Sequence, residues 1–296
     1  MTHMRLEGLR RFHFAATKRQ SARRKKHGVI SRMRKILLSS FMAAAFLGVV
    51  DAQQQLTVES ATSPSVGVAV DSLASVFGPS ISTESMAASS VPWPTMLGDI
   101  SVVYVKDSTG QMEMAGILFI SSSQMNIYIP AGAAPGQATV LFPTTGLPPG
   151  AGTAALRNVS VNIQKTAPGL FSAAGTGMGV AAATAVQTTI PSTTQTPVPV
   201  FLCDQSVNCA AIPIALGVDT PIYVSLFGTG IRNANSVIVN VDNTSVQPTY
   251  AGPQGQYPGL DQVNFPLPLN LRGSGLVNLT VTADGVMSNT VQLDIQ

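Results

Sequence analysis

Four side chains beyond residue 52 are of the types from which a ligand or reaction site is built: Trp93 in VPWPTM, and Tyr250, Tyr257 and Asp261 in YAGPQGQYPGLDQ. Aromatic rings flanked by Gly and Pro on loops can stack on sugar faces or anchor a protein partner. The same rings can equally cap the ends of a packed sheet stack. Asp261 is the acid with aromatic company. Glycoside hydrolysis, however, needs two facing carboxylates, and the remaining acids are scattered. Asp107 in DSTG and Asp284 in ADGV read as hairpin-turn residues.

Other chemistries are hard to build here. All three His, at positions 3, 13 and 27, lie ahead of an apolar leader, so the chain beyond residue 52 has none. That removes Ser/His and Cys/His nucleophilic machinery together with the commonest transition-metal ligand. There is no D-x-D-x-D-G run for calcium. GTGMG at 175–179 resembles a dinucleotide-binding turn only in part: it lacks the third glycine at the right spacing and an acid near 20 residues on. It reads instead as a flexible linker or connecting strand, extended by the Thr- and Pro-rich TTIPSTTQTPVPV at 188–200. No cofactor and no metal are expected.

Cys203 and Cys209 enclose DQSVN. In an oxidising compartment two cysteines this close pair with each other. Closing so small a ring contributes about 2 kcal/mol. The five-residue gap is not the C-x-x-C of a redox pair.

Compartment follows from the leader and from where the charges sit. MRKILLSSFMAAAFLGVVDAQQQ has a basic start at Met33 to Lys35, an apolar stretch from Ile36 to Val50, and small residues at Val50 and Ala52. That is the layout of a secretory signal helix, with cleavage near Ala52 and a secreted or cell-envelope product. The apolar stretch is shorter than the roughly 20 residues of a membrane span. Met33 would start a signal of ordinary proportions, so residues 1–32 read as an untranslated or disordered basic extension. Twelve of the 17 Lys and Arg fall between Arg5 and Lys35; beyond Ala52 five bases face twelve acids, a net of −7. A phosphate backbone would be repelled, so no nucleic-acid partner is expected, and membrane contact only through the signal segment.

The elements that must position any site are strands. SVVYV (101–105), MNIYI (125–129), ATVLF (138–142), VIVNV (237–241) and VQLDI (291–295) alternate apolar and polar residues between Gly, Pro, Asn and Asp. Period-two patterning with β-branched residues predicts antiparallel sheets with one face buried. The pattern also repeats in order. SVFGPSI (75–81) parallels SLFGTGI (225–231), SVVYVKD (101–107) parallels SVIVNVD (236–242), and Ala115-Gly116 answers Ala251-Gly252. QMNIYIP (124–130) answers QVNFPLP (262–268), and VSVNIQ (159–164) answers VQLDIQ (291–296). In both heptads the apolar positions would face a core, Asn and Gln would point outward or bond a neighbouring turn, and Pro266 marks an edge strand or a bulge. Each unit spans roughly 80–90 residues, the size of an immunoglobulin-like sandwich.

The runs APGLFSAAGTGMGVAAA (167–183), FGTGI (227–231), YAGPQGQYPGLDQVNFPLP (250–268) and DGVMSNTVQLDIQ (284–296) resemble the uncharacterised C-terminal domain recurrent in secreted proteins of Acidobacteria such as Solibacter. The resemblance spans Leu73 to Gln296. It implies an exported, tandem immunoglobulin-like architecture similar to IPT/TIG-type modules, and carries no catalytic residues over.

The expected fold is therefore all-β: a basic extension (1–32), a signal peptide (33–52), a disordered lead-in (53–70), a first immunoglobulin-like β-sandwich (71–166), a linker with a connecting strand and the local disulfide (167–211), and a second sandwich (212–296). The expected function is an exported, non-enzymatic adhesion, scaffold or surface-binding module whose partner is an extracellular polysaccharide or a cell-surface protein. Two alternatives stand beside it: a carbohydrate-binding protein using Trp93, Tyr250 and Tyr257, and a hydrolase with carboxylate chemistry around Asp261.

Overall fold

The computed structural model describes residues 55–144, 155–190, 192 and 194–296. The basic extension and the signal segment expected at 1–52 lie outside these residues. The fold is all-β, and among the described residues the helical content is a single 3-10 turn at Leu269–Leu271.

In the N-terminal half two five-stranded sheets enclose one apolar interior. The first has the order Thr57–Ser60, Leu73–Phe77, Gln124–Tyr128, Gly116–Ile120, Met86–Ala87; the second has the order Val68–Ala69, Leu156–Gln164, Gly136–Pro143, Tyr104–Lys106, Met112–Met114. Val76, Ile117, Met125 and Ile127 of the first sheet and Val105, Val140, Phe142 and Val161 of the second belong to the same buried cluster. Period two places these side chains on one face and their neighbours on the other.

The C-terminal half repeats the plan. A six-stranded sheet runs Thr194–Val198, Ala183–Thr189, Ile222–Thr229, Asp261–Pro266, Tyr250–Pro253, with Gly169–Leu170 also pairing Ile222–Thr229. A five-stranded sheet joins Thr244–Val246, Val237–Val241, Gly275–Ala283 and Val286–Met287, with Val291–Ile295 pairing Gly275–Ala283. Both sheets line a second buried cluster that includes Val224, Phe265, Val239, Leu279 and Leu293. Asp284 and Gly285, with φ of 49° and 83°, make the two-residue turn between paired Ala283 and Val286, the D-G hairpin chemistry read in ADGV.

The repeated motifs occupy repeated places. Val76 lies opposite Met125 and Ser75 opposite Asn126; Leu226 lies opposite Val263 and Ser225 opposite Asn264. Gln124 Nε2 donates to Asn126 Oδ1 at 2.8 Å, and Gln262 Nε2 donates to Asn264 Oδ1 at the same 2.8 Å. The recurrent Gln and Asn are thus an amide pair two residues apart on one strand face, bonded to each other. The incoming and final strands also match: Val68 lies parallel to Ile163, and Ile214 lies parallel to Ile295.

Two expectations are corrected. The lead-in at 53–70 is not a disordered tether, because Thr57–Ser60 and Val68–Ala69 are paired strands of the two N-terminal sheets. In the connection at 167–211, Ala183–Gln187 pairs with Ile222–Leu226. The Pro266 strand is interior, between Ile222–Thr229 and Tyr250–Pro253. Proline is tolerated there because the outer neighbour ends at Tyr250, opposite Asn264, so no ladder bond is lost on that side.

Candidate functional site

Trp93 and Tyr257 come together at the junction between the two halves, and Asp261 is held beside it by Arg232. Trp93 and Tyr257 stack with ring centroids 5.7 Å apart and planes inclined by 13°, while Trp93 Nε1 donates to the Pro258 carbonyl at 2.9 Å. Around them a third apolar cluster draws Leu73 and Leu118 from the N-terminal half and Phe171, Ala182 and Leu260 from the C-terminal half. Tyr257 is buried at 6% exposure, so its ring meets protein rather than a ligand.

Asp261, the residue after Leu260 of this cluster, is at 0% exposure. Its Oδ2 accepts the backbone N–H groups of Ile231 (2.7 Å) and Arg232 (3.2 Å), and its Oδ1 accepts Arg232 Nε at 2.6 Å. Burial pushes its carboxyl up to about 6, against the opposing pull of the Arg232 guanidinium. Arg232 then reaches across the junction. Its Nη1 donates to Asp71 Oδ1 at 2.9 Å and its Nη2 to the Leu260 carbonyl at 2.7 Å. The same Asp71 oxygen accepts the Tyr128 hydroxyl at 2.7 Å, and desolvation first, then Asp71, raise that phenol. A buried ion that loses its hydration is tolerable only when fully paired in this way.

Backbone contacts complete the clamp. Thr229 Oγ1 accepts the Leu73 N–H at 2.8 Å and donates to the Gly259 carbonyl at 2.7 Å. Ala167 N donates to the Gly230 carbonyl at 3.0 Å. Gly230, at φ 72°, could not carry a side chain: a Cβ would lie 2.2 Å from the Ala167 carbonyl oxygen. Gly259, at φ 83°, would drive a Cβ to 2.6 Å from Leu73. Both positions combine a left-handed backbone with close approach, which only glycine satisfies.

Chemically this arrangement is a clamp. The Asp261 carboxylate is turned inward and occupied on both oxygens, so the acid-base role considered for it has no access to a substrate. The expected three-ring aromatic surface is also divided. Trp93 and Tyr257 are joined to each other, whereas Tyr250 lies on the exposed strand Tyr250–Pro253 with its hydroxyl bonded to the Pro253 carbonyl. Arg232, Asp71, Tyr128 and Thr229 were not singled out from sequence. The available signal was scarcity, since Arg232 is one of five basic residues after Ala52.

Cys203 and Cys209 form the disulfide, joining the two-stranded hairpin Phe201–Cys203 and Cys209–Ala211; Asp204 Oδ1 accepts the amides of Ser206 and Asn208 inside its loop. Such a bond belongs to an oxidising environment. Among the described residues no helix is long and apolar enough to cross a membrane, and no three His, Cys, Asp or Glu side chains gather to hold a metal. A cleft of about 800 Å³ lies elsewhere, beside Gln55, Leu56, Pro79 and Arg157.

No protein-family model matches the chain, and no curated protein matches it. Among solved structures, the Bacteroides ovatus mixed-linkage glucan utilization locus protein SGBP-B, in complex with a mixed-linkage heptasaccharide, is similar at 9% identity and a TM-score of 0.30, over 77% of this chain and 42% of that one. The maltogenic amylase from S. marinus is similar at 6% identity and a TM-score of 0.19, over 81% of this chain and 31% of that one. The chain thus spans less than half the length of either structure, and at these scores neither likeness bears on ligand or activity.

Proposed function

We propose that this is an exported, non-enzymatic protein of two tandem immunoglobulin-like β-sandwiches, of the kind recurrent in secreted Acidobacteria proteins, acting as an adhesion, scaffold or surface-binding module. The observation that carries this reading is the clamp at the junction. Arg232, Asp71 and Asp261, with the Trp93–Tyr257 stack, fix one half against the other. Side chains that catalysis would need exposed are spent on holding a pose. A rigid pair of sandwiches with loops and sheet faces left to vary is the design of a binding module.

The remaining features agree with it. The disulfide fits an oxidising destination, and the leader at 33–52 fits export to the cell envelope or beyond. A net of −7 after residue 52 fits a partner other than nucleic acid. The partner in this reading is an extracellular polysaccharide or a cell-surface protein.

The test uses the full chain, fluorescently labelled, on intact cells and envelope fractions, together with turnover assays on glycan and peptide libraries. Saturable surface binding without turnover is expected. Turnover that disappears in Asp261→Asn, or the lack of saturable binding to any surface, overturns the proposal.

A further inference from the structure

Resting on that reading, we infer that the outer face of the six-stranded sheet is a binding platform for a neutral, hydroxyl-rich polysaccharide. The first observation is charge. The strands of this sheet contain one charged residue, Asp261, and it is fully buried beneath the other face. Everything this sheet turns outward is therefore uncharged. An acidic or basic partner would find no counter-ion there, whereas a neutral sugar chain loses no charge hydration on docking.

The second observation is what stands on the face. Pairing places Tyr250 beside Asn264, Asn264 beside Ser225, and Ser225 beside Thr184, one continuous row across four strands. One pleat further along stands Tyr223, opposite Pro266. Tyr250 and Tyr223 are 42% and 37% exposed. Two strand spacings and one pleat repeat put their Cα atoms about 12 Å apart, so the rings bracket the row diagonally. Asn264 stands between Tyr250 and Ser225, and the bond it accepts from Gln262, which lies one pleat the other way opposite Phe227, leaves Asn264 Nδ2 as a donor. Aromatic faces with amides and hydroxyls between them supply stacking and hydrogen bonds to a sugar ring without any ion pair.

Tyr250 is also shaped for this. Its ring lies over Gly252, whose missing Cβ would sit 3.1 Å from the phenol oxygen, and its hydroxyl is bonded to the Pro253 carbonyl. Glycine there lets the ring lie along the strand and turn a face to solvent. A pre-set ring loses little conformational freedom on binding.

The third observation is the contrast between the two copies. Gln124 and Asn126, the same amide pair in the first copy, are buried at 6% and 8%, whereas Gln262 and Asn264 are partly exposed. The two copies thus differ in how far this amide pair is covered.

The test is affinity electrophoresis and calorimetry of the full chain against a panel of neutral glucans and mannans, with a polyuronate alongside. Retention by at least one neutral polysaccharide is expected, changing by less than about twofold when salt is raised, since no ion pair is involved. The double substitution Tyr223→Ala with Tyr250→Ala should weaken it at least about tenfold, and Asn264→Asp should act in the same direction. Leu276→Ala, on the opposite sheet, should leave it unchanged, and unfolding curves establish that each variant is folded. Retention by the polyuronate alone, no retention at all, or retention unaffected by the double substitution overturns the assignment. Cell-surface binding that persists without neutral-glycan binding sinks this platform and leaves the module reading standing; loss of both removes both.

Discussion

Arg232 and Asp71, 161 positions apart in sequence, meet at 2.9 Å across the junction of the two halves. The contact makes the guanidinium the shared partner of two carboxylates, one fully buried and one partly open, and gives each a separate and measurable role.

Replacing Arg232 by Met should destabilise the protein by about 3–5 kcal/mol, because Asp261 is left as an uncompensated buried charge. Asp71→Asn should cost about 1 kcal/mol, since Asp71 retains solvent contact and Asn keeps an acceptor for Tyr128. Urea denaturation of both variants measures the difference. Equal effects would show that burial of Asp261 is not the dominant cost.

Stability should depend on pH in two opposed ways. Asp261, with its carboxyl raised to about 6 from 3.8, binds more protons folded than unfolded between these values. Its contribution is therefore fully present below about pH 4 and declines as pH rises through 6, by about 3 kcal/mol. Asp107 behaves in reverse: the Ala134 amide, then the Thr109 hydroxyl, hold it low, so its contribution is lost as the solution is acidified through its folded value. In Asp261→Asn the decline between pH 4 and 6 should vanish, leaving only the acid-side loss.

Trp93→Ala should cost about 2–3 kcal/mol, through the lost stack on Tyr257 and the lost bond to the Pro258 carbonyl. As the sole tryptophan, Trp93 also reports the junction directly. Its emission should shift to the red when the two halves separate. Emission that stays constant while circular dichroism records unfolding would place the ring elsewhere.

The duplicated amide pair gives an internal control. Asn126 Oδ1 accepts both Gln124 Nε2 and Ser75 Oγ in a buried setting, so Asn126→Ala should cost about 2 kcal/mol by stranding donors away from water. Asn264→Ala, at the exposed copy, should cost less than about 1 kcal/mol. Thermal unfolding of the pair of variants decides it.

Reduction of Cys203–Cys209, six residues apart, should destabilise by about 2 kcal/mol or less, because the ring it closes is short. Hydrogen exchange should quicken in the hairpin Phe201–Ala211 and leave the two apolar interiors protected.

Much of the fold was legible because one side of each sheet is buried, and a period-two pattern records that directly. Met125, Ile127 and Ile129, like Val263, Phe265 and Leu267, face inward as their alternation predicted. The repeat was legible for the same reason: equal registers need equal spacing of apolar residues. The junction was not. Arg232, Asp71 and Thr229 carry no periodicity, and what joins them is how two surfaces meet, a relation between distant segments. The lead-in misled because its strands are short, and Val68–Ala69 finds its partner in Ile163–Gln164, far along the chain. The aromatic reading divided because type and loop context identify Trp93, Tyr250 and Tyr257 equally, while only packing tells a ring that staples from one that faces water.

The parallel seating of Val68–Ala69 and of Ile214 against the last strand of each half has a mechanical consequence. Val70 N bonds the Gln164 carbonyl, and Ile214 N bonds the Asp294 carbonyl, so tension applied between either of these segments and the last strand of its half drags the two in opposite directions along their common axis. The bonds then resist together, in shear, instead of unzipping one at a time, and a tether of this build would hold a load.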